Sequence, residues 1–326
     1  MNLSDGRTLS YSESGQVQDG YPVLFHVGLM CSSLAVVLFH DEALRLNLHM
    51  VTVDYPGIGG SSPQSNRNLS DWPNDVLEFV SFLWGPNKSL ALLSHSMGAP
   101  HALAVMSHPI LSQRISRATL VSPWIVLSPS SSSSSAPPLP ATRWSWSRTQ
   151  RWMPSIVTNS ILPSLATTWT STTLSMAGSI TTCQSSTVSS SSTSTSSGSP
   201  ALSLLATQRI VRYSRHQGQE GNRHMVRLAL RHVEQSDDHV PYPFPLLILC
   251  GDDDPLVSPK WCRHYVRDLL VKQAQSGPHG RRDGVDESGG NAGTHAASIE
   301  YRTVPGANHN SILGGANLKL VLESLR

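Results

Sequence analysis

The sequence predicts an α/β protein, in which helices cover both faces of a mostly parallel β-sheet to give a three-layer αβα sandwich. Two observations lead to this prediction. Short apolar runs that end near Gly, Pro, Ser or Asp recur along the chain, and helical patterns lie between them. Strands of a parallel sheet are nearly continuous in apolar residues because both faces are covered. The alternation of such strands with helices is typical of this class.

Six apolar segments are predicted to be strands, at 22–27, 49–54, 89–94, 118–123, 245–250 and 298–304. Amphipathic helical patterns are found at 32–46, 70–84, 97–108, 221–235, 260–273 and 317–325. Ser70 or Asp71 is suited to cap the second of these helices, because its side chain can accept a hydrogen bond from a free backbone N–H. These elements account for the two ends of the chain, 1–125 and 240–326, as one globular core.

The middle of the chain, 126–239, differs in composition from both ends. Between Ser130 and Pro200 it is dominated by Ser and Thr, and no Asp or Glu occurs between Glu78 and Glu220. Such a composition buries little apolar surface to offset the entropy of ordering the chain. Three interpretations stay open: a real but degenerate insertion, a flexible low-complexity linker, or coding sequence read out of frame. The polar segment 276–296 is predicted to be a surface loop.

Composition and charge exclude several classes of function. The net charge of +2 predicts no nucleic acid partner. The 14 histidines are scattered, and the four cysteines form no CxxC pair, so we expect neither a metal nor another cofactor. The N-terminus lacks a signal-peptide pattern, and no apolar run approaches the roughly 18 residues of a membrane span. We therefore expect a soluble cytoplasmic protein without a membrane span.

Ser96 lies in a small-x-Ser-x-Gly pattern between a predicted strand and a predicted helix. Ser94 and Gly98 flank it at the two positions that must be small if the serine is to project from a tight turn. The helix that follows directs its first N–H groups at the serine, which favours negative charge there. The pattern predicts a nucleophile, and a plain turn serine is the alternative.

With this pattern between a strand and a helix, the chain resembles the α/β-hydrolase fold family, in its serine-nucleophile branch of esterases and lipases. The resemblance covers most of 1–125 and 240–326, and DYPGIGGSS at 54–62 resembles a structural loop of the family, with Gly57 and Gly59 supplying positive φ. It implies an eight-stranded sheet and a cap domain inserted after strand six, which would fall in 126–239. It also implies that an acid and then a histidine follow the nucleophile along the chain.

A serine hydroxyl needs a base, and the base an orienting carboxylate. His309 follows the last predicted strand and matches the family's histidine loop, and a surface histidine is the alternative. In CGDDDP the family pattern Gly-x-x-Asp-Pro selects Asp254 as the acid, with Asp253 next. Asp252 and Asp253 are expected to face solvent or cap a turn. His95 and His101 are expected to be packing or surface residues, because neighbours of a turn serine point away from it.

Two backbone N–H groups are expected to form an oxyanion hole. One is that of Met97, the residue after the nucleophile, and the other comes from the loop after the strand at 22–27. Val27 stands between His26 and Gly28, where the family has His-Gly directly adjacent. We therefore favour Leu29 as the second donor, followed by Gly28 and Met30. A simple glycine turn is the alternative for this loop.

The resemblance implies hydrolysis of a small-molecule carboxylic ester through an acyl-enzyme. A serine in the tight turn between strand and helix, here called the elbow, forms an ester with the acyl group of the substrate. With another acceptor than water the same residues would serve an acyltransferase, and they also fit a carbon–carbon bond hydrolase. A second class of function stays open, a hydrolase-like scaffold whose cap is defective and whose catalysis is impaired. A polyanion-binding module is disfavoured, because the arginines at 143–151 lack a structured context.

Overall fold

The computed structural model describes residues 1–29, 31–125, 221–222, 224–225, 228, 242–275 and 297–326. The interpretations of 126–239 as a cap or insertion therefore fall almost wholly outside the described residues, as does the predicted loop at 276–296. Among the described residues, no helix combines the length and the apolar character that crossing a bilayer would require.

A seven-stranded sheet forms the centre of the described structure. Its strands are β1 (Tyr11–Gly15), β2 (Tyr21–His26), β3 (Leu48–Val53), β4 (Leu90–His95), β5 (Ile115–Val121), β6 (Leu246–Gly251) and β7 (Ile299–Val304). They lie in the order β1-β3-β2-β4-β5-β6-β7. β1 pairs with β3 in antiparallel orientation, and all other pairs are parallel. The predicted α/β class with a mostly parallel sheet is confirmed.

All six strands predicted from apolar runs are present, and the strand that the sequence analysis missed is β1. Its sequence, YSESG, has polar residues at three of its five positions, and it lies at the edge of the sheet, where it is only partly buried. The resemblance implied eight strands, whereas the described residues form seven. The N-terminal segment makes a single antiparallel bridge, between Asn2 and Thr8, because the chain turns back on itself between Leu3 and Arg7.

Six α-helices described over their whole length flank the strands: α1 (His40–Arg45), α2 (Trp72–Trp84), α3 (Ala99–Met106), α4 (Pro109–Arg114), α5 (Pro259–Gln275) and α6 (Gly315–Glu323). The described residues of the helix predicted at 221–235, namely 221–222, 224–225 and 228, are also helical. The predicted helix at 32–46 is a 3-10 helix over Ser33–Phe39 that continues into α1. Asp71 is the N-cap residue of α2, but its side chain makes no capping hydrogen bond to that helix. Its carboxylate instead accepts the N–H of Asn68 at 2.8 Å, at the start of the 3-10 turn Leu69–Asp71. The short helix α4 was not predicted.

The core lies on both sides of the central strands. Every residue of β3 and β4 is buried, whereas the edge strands β1 and β7 have exposed or half-buried residues. Val23, Leu24, Leu92 and Leu93 are at most 1% exposed. Because six strands run in the same direction, their carboxyl ends meet at one edge of the sheet, where parallel α/β proteins place their binding sites.

Candidate active site

All residues proposed for the site follow carboxyl ends of parallel strands. Ser96 comes directly after β4 at the centre of the sheet, Asp254 follows β6, and His309 follows β7. Gly28 and Leu29 follow β2, which pairs with β4 on the side opposite to β5. Positions far apart in the sequence are therefore brought to the same edge by the strand order.

Ser96 lies on a strained turn. Its φ is 53°, in the left-handed region that side chains other than glycine rarely adopt. The carbonyl of Ser96 accepts the N–H of Trp124 at 2.9 Å, which holds the turn against the loop after β5. Ser94 is fully buried, and a Cβ on Gly98 would lie 2.7 Å from the carbonyl oxygen of Val27. Both flanking positions thus require small residues, as the motif indicates.

Ser96, His309 and Asp254 form a continuous series of hydrogen-bonding contacts. The Oγ of Ser96 is 2.8 Å from Nε2 of His309, and Nδ1 of the same ring is 2.9 Å from Oδ2 of Asp254. Because a carboxylate only accepts hydrogen bonds, Nδ1 carries the proton and Nε2 is left to accept the proton of Ser96. Nε2 of the imidazole therefore faces the serine hydroxyl, the position that a general base would take.

Asp254 is held in a buried, ionised form. Burial raises the pKa of the carboxyl, but the hydrogen bond and the charge of His309, with the N–H of Val257, outweigh it and lower the pKa below its ordinary value. Its Oδ1 accepts the N–H groups of Leu256 and Val257 at 2.9 and 2.8 Å. A carboxylate with both oxygens occupied cannot rotate away from the imidazole.

The loop after β6, here called the acidic loop, carries two further carboxylates next to Asp254, and their positions differ from that of Asp254. Asp252 and Asp253 are both exposed. Oδ1 of Asp252 accepts the N–H of Gly306 at 2.7 Å, and the N–H of Asp253 donates to the carbonyl of Ala307 at 3.1 Å. They connect the acidic loop to the loop that carries His309, and Asp254 alone of the three contacts the imidazole.

The loop after β2 lies against the serine. A Cβ on Gly28 would lie 3.1 Å from the Cβ of Ser96, so a larger residue would be in tight contact with the serine turn. The N–H of Cys31 donates to the carbonyl of Gly28 at 3.3 Å and closes the turn. Leu29 is half-buried, Met97 lies in the helical turn that begins at the serine, and Met30 lies outside the described residues. Val27, the additional residue, is buried and accepts the Tyr55 hydroxyl at 3.1 Å.

His95, which precedes Ser96, contacts the site more closely than the sequence indicated. It is buried, and its Nε2 lies 2.9 Å from the carbonyl oxygen of His309. The two rings are 4.9 Å apart between centroids. Burial, and then the charge of His309, lower the pKa of His95 to about 3, so its ring is neutral at ordinary pH. No motif could have indicated this bond, because it joins residues 214 positions apart.

Behind the loop after β2 lies a second group of buried polar side chains, here called the arginine cluster: His26, Tyr55, Arg67, Trp72 and His101. Nη2 of Arg67 is 3.2 Å from Nε2 of His101, and the indole N–H of Trp72 donates to Nε2 of His26 at 3.0 Å. Nε and Nη1 of Arg67 are buried without a hydrogen-bond partner among the described residues. His101 is thus a core residue, as expected.

The loop at 54–62 has the structural role that the sequence predicted. Gly57 and Gly59 have φ values of 78° and 56°. Asp54 at its start accepts the N–H and hydroxyl of Ser33 at 2.5 and 3.1 Å, so it fixes the far end of the loop after β2. Across the part of the chain that the structure describes, no group of three or more His, Cys, Asp or Glu side chains is arranged to bind a metal.

Comparisons with known proteins agree with this architecture. Residues 21–279 match the family model described as alpha/beta hydrolase fold. No curated protein sequence gives a significant match. Among solved structures, a thermophilic esterase from Thermogutta terrifontis has a TM-score of 0.59 at 15% identity, covering 99% of this chain and 94% of that one.

Two further structures are similar at comparable levels. The enol-lactonase from Burkholderia xenovorans has a TM-score of 0.57 at 14% identity, over 98% of this chain and 97% of that one. A hydrolase from Pseudomonas aeruginosa has a TM-score of 0.56 at 18% identity, over 100% and 96% of the two chains. At such identities the likeness shows a shared fold. Since the family model spans most of the sequence, the chain belongs to the alpha/beta hydrolase fold family.

Proposed function

We propose that the protein is a serine hydrolase that cleaves carboxylic esters through an acyl-enzyme on Ser96. The observation that supports this most is the continuous hydrogen-bonded path from Ser96 through His309 to the buried Asp254, at 2.8 and 2.9 Å. The names of the similar structures, which include an esterase and a lactonase, agree with an acyl bond as the target.

In the acylation step, His309 Nε2 removes the proton of Ser96 as Oγ attacks the ester carbonyl carbon. The developing imidazolium is stabilised by Asp254, which keeps its charge because it lies in a buried, hydrogen-bonded position. The tetrahedral intermediate collapses when the C–O bond of the alcohol breaks and His309 returns the proton to the departing oxygen. The acyl group is then attached to Ser96, and the alcohol leaves.

In the deacylation step, His309 takes a proton from water, whose oxygen attacks the acyl carbon. The second intermediate releases the acid, and the proton on His309 returns to Oγ of Ser96. The N–H groups of Met97 and Leu29 are assigned to stabilise the negative oxygen of both intermediates by donating hydrogen bonds to it, with Gly28 as the alternative donor to Leu29. Loss of one such donor costs roughly 3–4 kcal/mol in other enzymes of this chemistry. No cofactor takes part in these steps.

A fluorophosphonate probe tests the proposal whatever the ester is, because it reacts with activated serines. We expect the full-length protein to be labelled, Ser96→Ala to remain unlabelled, and Ser112→Ala, at a half-buried position on α4, to be labelled like the wild type. p-Nitrophenyl esters of increasing chain length would then define the acyl group. A folded wild-type protein that resists the probe would refute the proposal and favour the non-catalytic scaffold.

A further inference from the structure

The residue just before the nucleophile connects three loops of the site. His95 ends β4 and is 3% exposed. Its Nε2 is 2.9 Å from the carbonyl oxygen of His309, and the point where a Cβ on Gly28 would lie is 3.5 Å from its Nδ1. One imidazole thus lies next to Ser96 in the chain, bonds the histidine loop and faces Gly28 in the loop after β2.

The proton on His95 is fixed by its partner. A carbonyl oxygen only accepts hydrogen bonds, so Nε2 of His95 must carry the hydrogen and donate it. The low pKa of the buried ring means that Nδ1 has no proton at ordinary pH. A neutral ring is what this position requires, because a cation here would lie 4.9 Å from the imidazole that becomes charged during the proposed reaction.

The histidine loop has separate attachments on its two sides. On the side of the acidic loop, the Gly306 N–H donates to Asp252 Oδ1 at 2.7 Å and the Ala307 carbonyl accepts from Asp253 N–H at 3.1 Å. On the side of the elbow, the backbone of His309 itself is held by His95. A shift of the His309 backbone would change both the distance from its ring to Ser96 and the distance to the acid.

We infer that His95 is a positioning residue of the active site, which fixes the His309 backbone through its Nε2–H so that the imidazole meets Ser96 and Asp254 at once. The inference rests on the proposed function, and it adds a residue that touches neither substrate nor reacting atoms. In other enzymes a misplacement of about 1 Å can cost roughly 100-fold in rate. The loss is expected in kcat rather than in KM, since no substrate contact changes.

Three substitutions separate this role from plain packing. His95→Leu removes the donor. His95→Gln places an amide N–H the same number of bonds from Cβ as Nε2, whereas His95→Asn places it at the distance of Nδ1 and falls short of the His309 carbonyl. We expect kcat to fall roughly 10- to 100-fold in His95→Leu and His95→Asn, with recovery toward the wild-type value in His95→Gln.

The measurements are kcat and KM on a p-nitrophenyl ester, the rate of fluorophosphonate labelling, and the melting temperature of each variant. Recovery in His95→Gln but not in His95→Asn, at similar melting temperatures, would support the inference. An equal decrease of kcat in His95→Gln and His95→Asn, or a wild-type kcat in His95→Leu, would overturn the inference. If the folded wild type neither turns over esters nor reacts with the probe, the proposed function fails first, and the inference fails with it.

Discussion

Two groups of buried polar side chains lie near the loop after β2, and they differ in how many of their polar atoms have hydrogen-bond partners. In the candidate site, each hydrogen-bonding atom of Asp254 and of the His309 ring has a partner. In the arginine cluster, Nε and Nη1 of Arg67 and Nδ1 of His26 are buried without partners among the described residues. The first group contains a carboxylate, whereas the five side chains of the arginine cluster include none.

The difference shows which buried groups have a fixed geometry. A polar group without a partner costs roughly 1–3 kcal/mol when it is removed from water, whereas one with partners in place adds to stability and is held in position. The candidate site is therefore expected to keep its geometry, as catalysis requires. The arginine cluster is expected to lower the stability of the fold. Burial also lowers the pKa of Arg67 to about 10, in agreement with the cost of its charge.

The largest expected effect is in the candidate site. Asp254→Asn would leave the shape of the loop intact but present the wrong hydrogen-bonding group to His309, and kcat/KM is expected to fall roughly 10⁴-fold. The matched control is Asp253→Asn, because the Asp253 side chain is exposed and its N–H, which remains, makes the contact with Ala307. The measurement is kcat/KM for ester hydrolysis by the two variants. An equal decrease in both would contradict the assignment of Asp254 as the orienting acid.

The next effect compares two buried arginines. Arg114 is 6% exposed, and its guanidinium donates to Lys88 O, Ser81 Oγ and Gly85 O at 3.1, 3.0 and 2.7 Å. Arg114→Met should lower the free energy of unfolding by roughly 2–4 kcal/mol, because four acceptors, these three and Val80 O at 3.4 Å, lose their donor. Arg67→Met should be neutral or stabilising by about 1 kcal/mol, because it removes an incompletely paired buried charge.

Urea unfolding of both variants at the same pH measures the two effects. If Arg67→Met destabilises the protein as much as Arg114→Met, the idea that the arginine cluster is energetically unfavourable is wrong. Ester hydrolysis by Arg67→Met should stay close to the wild-type rate, since the hydrogen bond that Arg67 makes goes to His101 and not to a residue of the candidate site.

The smallest effect is a dependence of stability on pH, to which one buried histidine of each group contributes. His26 and His95 each have a pKa of about 3 in the folded protein, because burial disfavours their charged form, against 6.5 for an ordinary histidine. Between these values the unfolded chain binds more protons than the folded one, so stability is complete above pH 6.5 and falls as the pH decreases toward 3. The loss is on the order of 1 kcal/mol for each histidine over the first pH unit below its ordinary pKa.

Urea midpoints of the wild type, measured at several pH values from neutral down to about one unit below the ordinary histidine pKa, should therefore decrease on the acid side. His95→Gln, which lacks the ionisable ring, should show a shallower decrease. A wild-type midpoint that stays constant over this range would mean that these rings are accessible to protons in the folded protein.

Much of the architecture could be predicted because it is encoded locally. The six apolar runs that became β2 to β7 are continuous, since both faces of these strands are covered. β1 escaped detection because polar residues occupy three of its five positions, as a partly buried edge strand allows. The helix α4 contains only six residues, too few for a periodic pattern to be recognised.

The sequence alone determined which residue types stand at the ends of the strands, because a tight turn at Ser96 needs small neighbours and an acid before a proline follows β6. Only the tertiary structure decided the distances between these residues, the contact of Asp254 with the imidazole, and the bond from His95 to His309. The physical reason is that hydrogen bonds between residues 213 and 214 positions apart depend on strand order and register, which no local pattern specifies.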